Sequence, residues 1–281
     1  MKTLVYSDIF DYPLKAWEIH KWLILKKVTL SQIDKTLKKL VKKKSVGVYK
    51  EYYFLKKRQK IVKIRVNKFK ESQKFLFQAK LAGQFFKIIP WVKLVGISGS
   101  LAMENATSKD DIDLFIITEK NRLFLSRILI LAILAITGKR RLPKENKQKS
   151  AGKICVNLLL DEKHLYQANK DIYLAHEILQ MKVIWQRDNI YSKFLEENAW
   201  SFKFLPNWSG SFKNNQVNLK KAQLTESLVL DLLESLVRDW QLKYMQKNQT
   251  SEKINNHALY FHPKDCRQEV LNKYNKRIQK L

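Results

Sequence analysis

"VGISGSLAMENATSKDDIDLFIIT", Val95 to Thr118, is the stretch on which the fold turns. The chain contains only seven glycines, and two of them, Gly96 and Gly99, stand here ahead of Asp111-Ile112-Asp113. The apolar residues before Gly99 and those around the acidic pair have the β-branched and aromatic character of buried strands. In an extended strand side chains alternate, so Asp111 and Asp113 share a face, about 7 Å apart along the chain. Carboxylates that close repel one another unless a cation lies between them, and hard oxygen ligands at this spacing suit Mg²⁺ carrying phosphate groups. A glycine at a strand end followed by Ser100 supplies free N–H groups and a short hydroxyl, which together can cradle phosphate oxygens.

Working outward, residues Val92 to Leu160 read as strand, loop, strand, apolar helix, basic loop, strand. The helix lies in "RLFLSRILILAILAITGKRR", Arg122 to Arg141. Its uninterrupted apolar part is far short of the roughly 20 residues a bilayer requires, so a helix buried on a sheet is expected and no membrane partner. An apolar-Gly-Ser turn, a spacer of about ten residues and D-x-D in an apolar strand closely resemble the signature of the nucleotidyltransferase superfamily, with its DNA polymerase beta-like fold.

That resemblance covers the stretch from Val92 to Leu160 and implies an α/β (α+β) core. It implies in-line attack on the α-phosphate of a nucleoside triphosphate (NTP), with Mg²⁺ as cofactor and pyrophosphate leaving. Asp111 and Asp113 would be the catalytic and metal-ligating residues, Gly99 and Ser100 would hold the nucleotide, and Arg122 would offer a cation to it. Arg127 and the Lys139-Arg140-Arg141 cluster are further cations within reach along the chain. A third carboxylate commonly comes from a later strand. Here that strand is "KICVNLLLD", Lys153 to Asp161, and its best-placed polar residue is Asn157, which cannot act as a base. Three possibilities stay open: Asp161 or Glu104 substitutes, the reaction runs without a third carboxylate, or nucleotide binds without turnover. The last makes the alternative a nucleic-acid-binding or regulatory protein with a degenerate core.

Before this core, the first 55 residues read as three helices and a β-hairpin, similar to a winged helix. Helix Leu14 to Leu25 follows Pro13. Ser31 is the expected N-cap of a second helix bearing Lys35, Lys38, Lys39 and Lys42 on its outer face, and "SVGVYKEYYFLKK" turns at Lys50-Glu51. Phosphate contact by that lysine face would make nucleic acid a partner; the near-absence of Arg, Asn and Gln, the usual base-edge readers, favours a merely solvated lysine face. A long connecting helix is expected over residues 56–90, up to Pro90, then the core over 91–185 and a helical region over 186–281. "NKDIYLAHEILQMKVIW" has helical periodicity with an Asn169 or Asp171 cap. Its adjacent His176 and Glu177 point about 100° apart and are expected to play no joint role. Leu228, Leu232, Leu236, Trp240 and Tyr244 form a stripe expected to pack in the core.

Composition sets the surroundings. The formal charge of +28, from 54 basic against 26 acidic residues, favours an anionic partner such as nucleic acid or nucleotide. Most of the basic residues are lysine in a glycine-poor chain, a bias that an AT-rich genome also produces. Cys155 and Cys266 are far apart, which excludes a disulfide framework and fits a reducing cytoplasm. The opening "MKTLVYSDIFDYPLK" lacks the apolar run of a secretory signal. The five histidines are dispersed and are expected to be structural rather than metal ligands.

Overall fold

The computed structural model describes residues 1–142, 145–208, 228–246, 253–261 and 266–280. Three short helices open the chain: α1 (Lys2–Asp8), α2 (Ala16–Lys21) and α3 (Leu30–Lys42), followed by a hairpin of β1 (Val46–Tyr49) and β2 (Tyr52–Leu55). The hairpin turns at Lys50 and Glu51, both with positive φ, the backbone twist that a two-residue hairpin turn requires. The first residues of α3 are set by Thr29 rather than Ser31: the Thr29 hydroxyl accepts the Gln32 N–H at 3.3 Å, and the Gln32 side chain accepts the Thr29 N–H at 2.9 Å. This reciprocal capping box satisfies two otherwise orphaned donors and moves the start of the helix two residues earlier. Ile33 and Leu37 of α3 pack on Leu4, Leu14, Ile19 and Val46.

A single long helix, α4 (Lys60–Phe86), leads to the sheet strand β3 (Val92–Ile97), the one-turn α5 (Gly99–Ala102) and β4 (Ile112–Thr118). Then come α6 (Leu123–Ile136), the short α7 (Lys147–Ser150), β5 (Ile154–Asp161), α8 (Ile172–Gln180) and β6 (Lys182–Gln186). The remaining elements are α9 (Ile190–Glu197), α10 (Ser201–Phe204), α11 (Leu228–Gln246), β7 (Lys253–Ile254), β8 (Ala258–Tyr260) and α12 (Cys266–Ile278). The six-stranded mixed sheet has the order β6-β3-β4-β5-β8-β7. Only the β4–β5 pair is parallel, and α6 makes the crossover between them. The fold is therefore α+β.

The central strand β4 is buried on both sides, as its continuous apolar run requires. Ile112, Leu114 and Ile116 pack in one cluster with α4 and α6, while Phe115 and Ile117 pack in the other with α8 and α9. Each such aliphatic side chain contributes about 1.5–3 kcal/mol by leaving water. Val5, Tyr6, Trp22 and Ile24 from the N-terminal helices join the second cluster, so these helices share the core's hydrophobic interior. Among the described residues no helix is long and apolar enough to cross a membrane.

Three departures from the sequence reading have physical causes. The residues after Gln180 form a strand, because Met181 turns into extended backbone and β6 finds the free edge of β3. The region beyond residue 186 is not purely helical: β8 pairs with β5 and β7 with β8, which extends the sheet. The stripe on α11 faces out, with Leu228 87 % and Trp240 63 % exposed. The opposite, more polar face of α11 is the one held in place. Glu234 accepts the N–H groups of Phe124 and Leu125 at 2.8 and 2.9 Å, capping the first turn of α6, and Gln241 donates to the Phe124 carbonyl at 2.9 Å.

Candidate functional site

The site begins at the crossing from β3 to α5. The N–H of Ser98 donates to the Asp113 carbonyl at 3.0 Å, continuing the β3–β4 ladder to the last residue before the turn. Gly99 then adopts φ +63°, where a side chain is strained, and a Cβ built there would stand 3.0 Å from Asp113 Oδ2. The turn thus lies close over the carboxylate, which would have to shift slightly for a side chain at this position. Gly99→Ala is expected to lower stability by about 1–2 kcal/mol through the left-handed backbone alone. A denaturant melt would measure it, and an unchanged midpoint would show that the turn is not held as described.

Asp111 precedes β4 by one residue and Asp113 is its second residue, and their carboxylates converge as the strand alternation requires. Across the parallel ladder, Asp113 is in register with Cys155 of β5. One ligand atom from each of Asp111, Asp113 and Cys155 lies within 4.8 Å of the others. Arg141 closes the group: its guanidinium is 2.6 Å from Asp111 Oδ2 and donates to Cys155 Sγ at 3.5 Å. The contact to Asp111 is an ion pair without hydrogen-bond alignment, so this buried oxygen has no well-directed donor. Burial, then the Asp111 charge, raise the Asp113 carboxyl to about 8, and Arg141 only partly offsets them.

The donors fit a hard divalent cation. Two carboxylate oxygens are a magnesium-type set, whereas the Cys155 sulfur is a soft donor whose thiol burial pushes up to about 12.

Sequence reasoning missed two members of the site. Cys155 was legible only through strand register. Glu177 was set aside because it adjoins His176, yet the fold separates the two by function. His176 stacks on Tyr6 at 4.2 Å between ring centroids and is held neutral by burial, which lowers its pKa to about 3. Glu177 instead faces the Gly99 N–H and raises the Asp113 pKa through its charge. Burial lifts the Glu177 carboxyl itself to about 7.

Other expected residues lie elsewhere. Arg122 sits beyond the far end of β4, where it donates to the Asn121 carbonyl at 2.6 Å and pairs with Asp231 at 2.5 Å. Asn157 is buried at an irregularity in the β4–β5 register, and its carbonyl accepts the Phe261 N–H at 2.9 Å. Glu104 is ion-paired with Lys182. Asp161 lies opposite Thr118, six residues along β5 from Cys155 and so roughly 20 Å away. Ser100 stays beside Gly99, and both line a cavity of about 250 Å³ with Tyr6, Tyr173 and Glu177. A second cavity of about 370 Å³, lined by Ser98, Tyr166, Asn169, Tyr173, Tyr260 and Arg267 among others, also reaches Glu177. A larger one, about 510 Å³ beside Lys15, Lys21, Arg65 and Lys182, touches none of the acidic pair or its glycine turn.

No family model and no curated protein matches this chain. Among solved structures, it is similar to a chain described as "Crystal structure of the toxin-antitoxin with AMP-PNP", with 15 % identity and a TM-score of 0.25, over 47 % of this chain and 86 % of that one.

Proposed function

We propose that the chain is a metal-dependent nucleotidyltransferase that moves a nucleoside monophosphate from an NTP to an acceptor hydroxyl. The observation that carries this reading is the convergence of Asp111 and Asp113 under the Gly99-Ser100 turn, with one carboxylate oxygen buried and without an aligned donor. Mg²⁺, when bound with the triphosphate, would be held by Asp111 and Asp113 and would neutralise charge building on the transferred phosphate.

The chain's own groups divide the remaining work. Gly99 lets the backbone approach the phosphates, and Ser100 offers its hydroxyl to them. Arg141 stands in as the cation for Asp111 before nucleotide arrives; its guanidinium then has a phosphate to turn to. Glu177, with a pKa of about 7, is the candidate to take the proton from the acceptor hydroxyl as its oxygen bonds to the α-phosphorus and the bond to pyrophosphate breaks. It supplies, from a helix, the base that the later strand lacks at Asn157. The acceptor class remains an RNA end, a protein hydroxyl or a small molecule. Transfer of label from an α-labelled NTP in Mg²⁺, with the double variant Asp111→Asn, Asp113→Asn as control, tests the reading: no transfer by the wild type, or equal transfer by the variant, would overturn it.

The exposed lysines of α3 favour an accompanying reading, in which nucleic acid docks on the N-terminal helices. Lys35, Lys38, Lys39 and Lys42 are all exposed, and among the described residues none of them is ion-paired. If they contact phosphates, the double change Lys38→Ala, Lys39→Ala should weaken binding uniformly across sequences. It should also flatten the dependence of log K on log salt by about one unit per contact. An unchanged slope would mean the lysines merely solvate the helix.

A further inference from the structure

At the opposite end of β5 from the acidic pair, three side chains far apart in sequence converge. Asp161, the last residue of β5, is 2 % exposed, and its two carboxylate oxygens each meet one imidazole. Oδ1 lies 2.8 Å from Nδ1 of His164 and Oδ2 lies 2.8 Å from Nδ1 of His257. The two rings stack at 3.8 Å between centroids, tilted by 15°. Ligand atoms of all three residues lie within 4.8 Å of one another.

We propose that Asp161, His164 and His257 bind a divalent transition-metal ion of the zinc class, and that this ion clamps the β7–β8 hairpin to the sheet. Two imidazole nitrogens and a carboxylate oxygen are borderline donors of the kind that Zn²⁺ takes at about 2.0–2.2 Å, with a water completing the tetrahedron. As placed, each Nδ1 is within hydrogen-bond distance of one Asp161 oxygen, so a metal ion would replace two such contacts with bonds to itself. Rings tilted by only 15° cannot both aim in-plane lone pairs at one ion, so binding requires at least one of the half-exposed imidazoles to rotate, after which a single divalent ion meets both Nδ1 atoms and answers the carboxylate charge. In a neutral ring the proton then resides on Nε2, so binding is a change of tautomer with no net loss of a proton from the imidazole.

The backbone around the cluster is already fixed. The N–H of Lys163 donates to Asp161 Oδ1 at 2.8 Å, and the N–H of Asp161 donates to the His257 carbonyl at 3.0 Å. His257 is delivered by the turn between β7 and β8, whose two and three residues form a small edge to the sheet. Such a short hairpin gains little from its own ladder, and a ligand shared with β5 would tie it down.

The test is calorimetric titration of Zn²⁺ into the chelator-stripped full chain, repeated on the double variant His164→Ala, His257→Ala and on Asp111→Asn, Asp113→Asn. The expected result is one tight site per chain that survives in the Asn variant and loses more than about 100-fold in affinity in the histidine variant. Zn²⁺ should raise the thermal midpoint of the wild type and not of the histidine variant. Co²⁺ in its place should give ligand-field absorption in the visible. Circular dichroism checks that the histidine variant is folded, and the single change His164→Gln provides a milder second variant that should also weaken binding. The proposal is overturned if the wild type binds no Zn²⁺ at micromolar concentration, if the histidine variants bind as tightly as the wild type, or if binding is lost only in the Asn variant. Because the Asn variant addresses the other site, failure here leaves the transferase reading untouched.

Discussion

Asp113→Asn should make the metal-free protein more stable at pH 8 while lowering nucleotidyl transfer by at least about 10²–10³-fold. The stability gain follows from linkage. The Asp113 carboxyl is raised from 3.8 to about 8 and that of Glu177 from 4.5 to about 7, each chiefly by burial. Between the unfolded and folded values the native state holds protons that the unfolded chain has released. Stability from these groups is therefore fully present below about pH 4 and is lost as pH rises towards 8, at up to about 1.4 kcal/mol per pH unit for each proton. Asn mimics the protonated side chain at every pH. The variant should match the wild type near pH 4 and exceed it progressively as pH rises, by up to a few kcal/mol at pH 8. Thermal melts across that range, with and without Mg²⁺, measure this. Equal pH slopes in the two proteins would mean that Asp113 is not the buried, repelled carboxylate described. Activity falls for a different reason: the variant lacks the charge that holds a divalent ion where phosphate charge develops.

Glu177→Gln should cost about 10²–10⁴ in transfer if Glu177 accepts the acceptor's proton. The side chain keeps its volume and its place on α8, but an amide cannot take the proton. At saturating Mg²⁺, where the cation keeps Asp113 ionised, wild-type kcat/KM should fall as the medium is acidified below about pH 7, where Glu177 becomes protonated, and the Gln variant should lose that acidic limb. Transfer that is slower but keeps the same limb would make Glu177 a structural support for the Gly99 turn instead. Nucleotide binding measured separately distinguishes the two outcomes further, since a base is not needed for binding.

How much of this was legible in the sequence depends on whether a feature is local. The strands β3, β4 and β5 announce themselves because each is a short apolar run ended by glycine or by acidic residues, and the shared face of Asp111 and Asp113 follows from alternation alone. The lysine face of α3 and the hairpin turn are local too. Cys155 and Glu177 were hidden because their relation to Asp113 arises from tertiary placement, through parallel register in one case and helix docking in the other. The strand β6 was read as helix because "MKVIW" continues the apolar spacing of α8 with no glycine or proline between them. On α11 the periodicity is real, but the buried side is a second face on which Val237, Leu242 and Met245 pack on the core while Glu234 accepts from, and Gln241 donates to, the start of α6. Arg122 looked near the site along the chain. A strand of seven residues carries its neighbours to the opposite end of the sheet.

The most direct test of the central claim is transfer itself. Purified chain is incubated with Mg²⁺ and each α-labelled NTP against total RNA and a cell lysate, while pyrophosphate release is followed in parallel. The account predicts label in one acceptor class with stoichiometric pyrophosphate from the wild type, and neither from the double variant Asp111→Asn, Asp113→Asn. Wild-type protein that binds nucleotide but transfers no label from any NTP, or a double variant that transfers as well as the wild type, would contradict it.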